Sequence, residues 1–415
     1  MNGFKWIVAT LLLCCQAAAA GNTLLIRNAH VHTMTDAGTL PAADILIRDG
    51  RIAELGNHLR APADSTELDA AGRPVTPALF AGITALGLNE IDMVWPSVDS
   101  AVTQVGSPPM RPEFNVVSAY NPHSSPIPIT RIEGFGYSLL GAMAGGSIIG
   151  GQGRTVVLDG GYRSFVGEPV LFIALGESAS TLAGGSRAAQ WMVLEQAIAE
   201  SESTPRRGDH TLLTREGRAA LHAFQRSGTV VFSAHRASDI LQVIAFAERH
   251  GLRAVIEGGA EAWMVADALA EAQVPVLLDP LQNLPDSFDM LGARLDNAAR
   301  LHAAGVTVSF SGAGTHHARK QRQLAGVAAA NGLGPEAALA ALTRNPAEIF
   351  GFPGGRLERG APADLVIWSG DPLELVESAE QVILGGRLQP MRSRQTELRD
   401  RYLPTATSLP RAYTH

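Results

Sequence analysis

The sequence predicts an α/β chain, on three observations. Apolar runs of strand length alternate with helical segments through the second half, the arrangement that builds a parallel sheet with helices on its faces. Short strands of alternating pattern occupy both ends of the chain. Between them, Leu79-Phe80-Ala81-Gly82-Ile83, bounded by Pro77, has the length and composition of a fully buried strand, and the Thr, Gly and Asn after it suit a loop leaving a barrel mouth.

The first twenty residues read as a secretory leader. Lys5 supplies the charge, Trp6 to Cys15 the apolar run, and Ala18-Ala19-Ala20 a small-residue cleavage site before Gly21. That run is too short to span a bilayer, so the expected location is exported, periplasmic or secreted. Both cysteines lie in the leader, which leaves the mature chain without disulfides or thiolate chemistry. From Thr23, TLLIRNAHVHTM and ADILIRDGRIAELG read as strands, with a hairpin turn at Asp49-Gly50. His30-Val31-His32 puts two imidazoles on one strand face, but without nearby carboxylates it reads as exposed or turn-capping.

Glu90 to Pro128 is rich in Pro, Ser and Asn, and a stretch this long and irregular reads as an active-site loop or lid. Tyr137 to Ala142 follows as an apolar strand. The run Gly145 to Gly153 lacks the Gly-Lys-Ser/Thr ending of a phosphate loop and reads as a Gly-rich loop at a strand end, leading into Thr155 to Gly160. Helical spacing marks Ala188 to Ser201 and Arg215 to Ser227, with a polar break from Ser201 to Asp209 and with His222 as a partly buried helix residue. Thr229 to Ser233 is a strand ending at Ala234-His235, and Asp239-Ile240 opens a helix. In RAVIEGGAEAWMVADALAEAQVPVLLDP, two strands flank a helix; Glu257 is the nearest acid at the first, and Asp279 ends the second. Ala304 to Gly314 is the last such strand, followed by His316-His317 and Arg319 on a loop. One helix is expected in GLGPEAALAALTRNPAEIFG, delimited by Pro335 and Asn345-Pro346. Strands at Ala363 to Trp368 and Val382 to Arg387 precede a short charged helix and tail. A net charge of -7, with no basic run longer than Arg206-Arg207, argues against nucleic acid or an anionic membrane as partner.

The frame Pro77 to Gly87 resembles the first-strand segment of the amidohydrolase superfamily, the imidazolonepropionase-like and dihydroorotase-like metal-dependent hydrolases. Ile83 and Ala85 stand where that family places two His ligands. Arg131-Ile132-Glu133-Gly134 and Gly151-Gln152-Gly153 look like pieces of an exported subgroup; the segment ending at His235 is similar to a fifth strand whose His binds metal. GRLERGAPADLVIWSGDPL and the helix from Gly332 match further family segments. The family's sixth-strand His is replaced by Gly258, and its eighth-strand Asp by Gly312 or Ala313. Lys5 and Lys320 are the only lysines, so the variant bridged by a carboxylated lysine is excluded.

The resemblance implies a (β/α)8 TIM-like barrel inserted into a small discontinuous β-sandwich domain. It divides the chain into a leader (1–20), a composite sandwich (21–75 plus 350–392), a barrel (76–349) and a C-terminal helix and tail (393–415). It implies an exported hydrolase of non-peptide C–N bonds in small, including cyclic, amides, with a degenerate metal site. The alternative is an inactive paralogue that serves as a binding protein or as partner subunit of an active homologue, in a homo- or hetero-oligomer. Candidate catalytic residues are His235, Glu90, Glu133 and Asp279, with Arg131 as oxyanion partner; Gln152, His316 and His317 are candidates for binding a small-molecule ligand. Active relatives use zinc or another divalent metal. His235 is the only residue at a matching ligand position here, and no metal is assigned.

Overall fold

The structure, a computed structural model, describes residues 23–63, 65–103, 106–204, 210–312 and 314–403. The expected leader, most of the tail, Ala313 and part of the polar break before Asp209 lie outside the described residues. The strands are β1 (Leu24–His32), β2 (Thr39–Arg48), β3 (Arg51–Gly56), β4 (Thr66–Asp69), β5 (Pro74–Pro77), β6 (Leu79–Thr84), β7 (Phe135–Leu140), β8 (Ile149–Val157), β9 (Phe165–Ala174), β10 (Thr229–Ala234), β11 (Arg253–Gly258), β12 (Val276–Leu278), β13 (Val308–Phe310), β14 (Leu365–Trp368), β15 (Ala379–Leu384) and β16 (Arg387–Leu388). They form two eight-stranded sheets.

The first sheet joins the two ends of the chain in the order β16-β15-β14-β5-β1-β2-β3, with β4 on β1. Asp49 and Gly50 both take positive φ between β2 and β3, the mirror-image turn that suits the twist of a two-residue hairpin. Strand periodicity divides β14 and β15 between two cores. Val366, Trp368, Val382 and Leu384 pack with the second sheet, whereas Leu365, Ile367 and Ile383 belong to the first sheet's own core.

The second sheet runs β6 to β13 in sequence order and forms a nearly closed barrel. Strands β6 and β7 are parallel, as are β9 to β13, but β8 is antiparallel to both its neighbours. This departs from a regular (β/α)8 arrangement, in which every strand would run the same way. Most of the expected Gly-rich loop is therefore strand. Gly153 pairs within β8, and the position takes glycine because a Cβ there would fall 1.7 Å from the Leu140 carbonyl oxygen. Residues 165–174, for which the sequence pattern predicts no element, form β9. Among the described residues, no ladder joins β13 to β6. The seam is bridged by backbone N–H groups donating to hydroxyls on the far side: Ile83 to Ser311 Oγ at 3.1 Å and Ala85 to Thr315 Oγ1 at 3.0 Å.

The expected single helix after Gly332 is two, Pro335–Leu342 and Arg344–Phe350, broken at Thr343. Pro346 sits in the first turn of the second helix, where its missing N–H costs nothing, and so does not end a helix.

The Asp of the tail motif, Asp364, is buried where the sheets meet. Its carboxylate accepts hydrogen bonds from the Tyr137 hydroxyl on β7 and from the Gly385 N–H. Burial raises the Asp364 carboxyl above its ordinary range against those two bonds, and burial also holds Tyr137 firmly protonated. Trp368 repeats the link: its indole N–H donates to Thr76 Oγ1 at 2.9 Å, and the Arg322 guanidinium lies 4.6 Å over its ring. Tyr137→Phe should destabilise the fold by about 1–3 kcal/mol, because a buried carboxyl loses its donor. Denaturant unfolding beside Tyr162→Phe, an exposed control, checks this; equal stability of the two variants would show that the bond between the sheets carries nothing.

Candidate active site

The C-terminal strand ends of the barrel surround a cavity of about 780 Å³, the place where barrels of this type build their sites. Thr84 and Ala85 come from the end of β6, the loop from Gly141 to Gly145 from β7, and Ile173 and Ala174 from β9. Val231 and Ser233 on β10 and Glu257 on β11 reach it from deeper in the barrel, and Gly312, Gly314 and Thr315 follow β13. Another wall is the irregular stretch after β6, through Asn89, Asp92, Trp95, Val98 and Ala101. That loop is pinned to the segment after β7 by the Met143 N–H donating to the Ser100 carbonyl at 2.8 Å.

Glu257 is the acid at the floor. Burial pushes its carboxyl up to about 7, while the Ser311 hydroxyl pulls it the other way. Its lateral neighbour in the parallel β10–β11 pair is Ser233, on the same cavity wall. A carboxyl balanced near neutral pH in a cleft is what general acid–base chemistry requires.

The sequence-derived candidates lie elsewhere. His235 follows β10, but its ring packs over Gly258, and Nδ1 is buried without a partner. Gly258 has φ +96, and a Cβ there would lie 2.5 Å from the ring, so the imidazole fills the space that a side chain at 258 would take. Burial lowers its pKa, leaving it neutral. Glu90 accepts from both Ser124 and Ser125 hydroxyls at 2.6 Å and from the Ser125 N–H at 3.1 Å, tying the loop to the start of the helix Pro126–Arg131. Burial opposes ionisation of Glu90, but these bonds hold its pKa low. Arg131 and Glu133 precede β7 and so sit at the opposite end of the barrel from the mouth; Arg131 donates to the Leu158 carbonyl at 3.0 Å. Gln152 Nε2 donates to the Pro112 carbonyl at 2.7 Å and secures the loop after β6. Asp279 ends β12 and shapes a turn, accepting from the Leu281 N–H at 3.0 Å. The His316 and His317 rings lie 3.9 Å apart beyond the cavity, with His316 Nδ1 3.7 Å from Asp92. None of these eight side chains lines the cavity. Glu257 and Ser233 do, and the available signal was position: each is the polar residue next to the C-terminal end of an apolar strand, at the parity of Val231.

The residues do not fit the divalent metal that the fold family implies. Ile83 and Ala85 face the cavity with hydrocarbon, Gly258 and Gly312 have no donor side chain, and among the described residues no three His, Cys, Asp or Glu side chains converge to hold an ion.

Residues 210–389 match the amidohydrolase family model. Over 111 residues the chain is 40% identical to the amidohydrolase tasK of Hapsidospora irregularis, a match covering 24% of this chain and 11% of that protein. Among solved structures, it is similar to an amidohydrolase from Thermotoga maritima, at 25% identity and TM-score 0.78, over 89% of this chain and 100% of that one. It also resembles the N-isopropylammelide isopropylaminohydrolase of Burkholderia multivorans, at 16% identity and TM-score 0.51, over 88% and 98% of the two chains.

Two outcomes follow from the site. Elemental analysis of the purified protein should find well below one equivalent of zinc or a similar ion; a stoichiometric, chelator-resistant metal would contradict the donor count. Glu257 should make stability depend on pH. An unfolded Glu ionises near 4.5, whereas the folded carboxyl holds its proton to about 7, so this group's contribution falls as pH rises between those values and stays low above them. Glu257→Gln should remove that slope and add about 3 kcal/mol at pH 8 with little change at pH 4. Unfolding curves at the two pH values check it, and an equal effect at both would refute the buried carboxyl.

Proposed function

The chain carries an amidohydrolase-family domain, and from that premise we propose that it hydrolyses C–N bonds other than peptide bonds in small, including cyclic, amides, with Glu257 as the acid–base group. The observation that carries this reading is the position of the Glu257 carboxyl, at the floor of the barrel-mouth cavity beside Ser233, where burial raises its pKa to about 7. As carboxylate it takes a proton from water while the water oxygen adds to the carbonyl carbon. The C–N bond then breaks, and the same proton passes to the leaving nitrogen, giving a carboxylic acid and an amine. Ser233, beside it in register, is placed to donate to the carbonyl oxygen as charge develops there. General acid–base catalysis contributes about 10²–10⁴-fold, so slow turnover is expected. No step here passes through a metal.

A second reading is favoured by Ile83, Ala85, Gly258 and Gly312, which keep the family's frame without donors. It is a catalytically silent paralogue that binds a small ligand or partners an active homologue. Export is part of both readings, through the leader at residues 1–20. An intact mass of the mature protein starting at Gly21 would support it.

The two readings separate in one assay. With 4-nitroacetanilide as a neutral chromogenic amide, the hydrolase reading expects activity rising through about pH 7 and a loss of about 100-fold or more in kcat for Glu257→Gln, with KM little changed. Release of nitroaniline by Glu257→Gln at the wild-type rate would remove Glu257 from the chemistry. Saturable binding without turnover would favour the second reading.

A further inference from the structure

The cavity's lining has an imbalance that the acid–base reading does not use. Among the described residues, no Arg, Lys or His side chain lines it, and two carboxyl groups do, Glu257 at the floor and Asp92 near the rim. The undescribed positions closest in sequence to its lining segments are Gln104, Val105 and Ala313, none of them basic. Three basic side chains of the flanking segments already have partners. Arg187 is engaged by Asp239 and Asp289, Arg319 donates to Gln395 at 2.9 Å, and His316 faces Asp92 from outside the cavity. Most of the wall is hydrocarbon, through Ile83, Val98, Phe172, Leu182 and Val231. At the mouth, Trp95 is 75% exposed and Met143 56%, so apolar surface continues from the wall to the rim.

Resting on the ligand-binding role above, we infer that this cavity takes an uncharged, largely apolar ligand and rejects anionic ones. A ligand carboxylate, phosphate or sulfonate would lose its water there without meeting a counter-charge, and would face Glu257 or Asp92 instead. Carboxylate-bearing amides, such as N-acyl amino acids or cyclic amides with an acid substituent, are therefore outside its range. Neutral lactams, anilides and carbamates are within it. Hydroxyls at Ser233 and Thr84 and the Glu257 carboxyl supply the few polar contacts that orient such a ligand.

The test uses two probes of nearly the same shape, neutral N-phenyl-1-naphthylamine and its 8-sulfonate, titrated by fluorescence against the full-length mature protein at pH 8. The neutral probe should bind at one saturable site, and the sulfonate at least about tenfold more weakly. Glu257→Gln should narrow that gap severalfold, because it removes the repelling charge. Ala101→Trp, at the rim, should weaken the neutral probe without altering the circular dichroism spectrum. Equal affinity with mutual displacement would overturn the inference, as would failure of the neutral probe to bind. Neither result bears on the acid–base role of Glu257, which is read from the pH dependence of hydrolysis.

Discussion

The structure turns on the Ser311 hydroxyl. Among the described residues, no hydrogen-bonded ladder joins the barrel's last strand to its first, and Ser311 bridges that gap by accepting the Ile83 N–H. The same hydroxyl lies beside Glu257 and moderates the effect of burial on it. One short side chain thus joins the completion of the fold to the charge state of the cavity floor. Thr315 repeats the device one turn further out, accepting from Ala85 and also lining the cavity.

Around that seam, further hydrogen bonds tie the loops of the mouth to the barrel and the terminal sheet to its other end. The loop after β6 is held by Glu90 against Ser124 and Ser125, and by Gln152 against Pro112. At the opposite end, Asp364 and Trp368 bind the terminal sheet to the barrel through Tyr137 and Thr76. Buried polar pairs of this kind fix relative position, since each partner left alone would be a desolvated group without a bond.

Much of the scaffold was legible because it depends on local chemistry. Leu79 to Ile83 had to be a buried strand, Asp49-Gly50 a hairpin turn, and residues 363–368 a strand with period two. The candidate site was less legible, for three reasons visible in single residues. Arg131 and Glu133 carry suitable chemistry but precede their strand, and sequence alone does not say which end of a strand faces the mouth. Glu90 and Gln152 have the polarity of site residues and spend it on loop backbone and hydroxyls. His235 does end a barrel strand, yet the missing side chain at Gly258 lets its ring turn into the wall. Glu257 is legible as an acid at its strand, but its importance rests on burial and on Ser311, 54 positions away in sequence, which no local pattern contains. The antiparallel β8 is hidden for a similar reason: its glycines mark close backbone approach to Ala142, Phe114 and Leu140, which reads in one dimension as a loop.

Residues 210–389 match the amidohydrolase family model, and Glu257 brings a carboxyl to the floor of a largely apolar cavity. Difference infrared spectroscopy of the carboxyl stretch reports on that group directly, by subtracting Glu257→Gln spectra from wild type across pH 4 to 9. The account requires a protonated-carboxyl band that is lost with a midpoint near 7. A Glu257 band already absent at pH 5.5 would mean an ordinary, solvated carboxylate and would contradict the account at its centre.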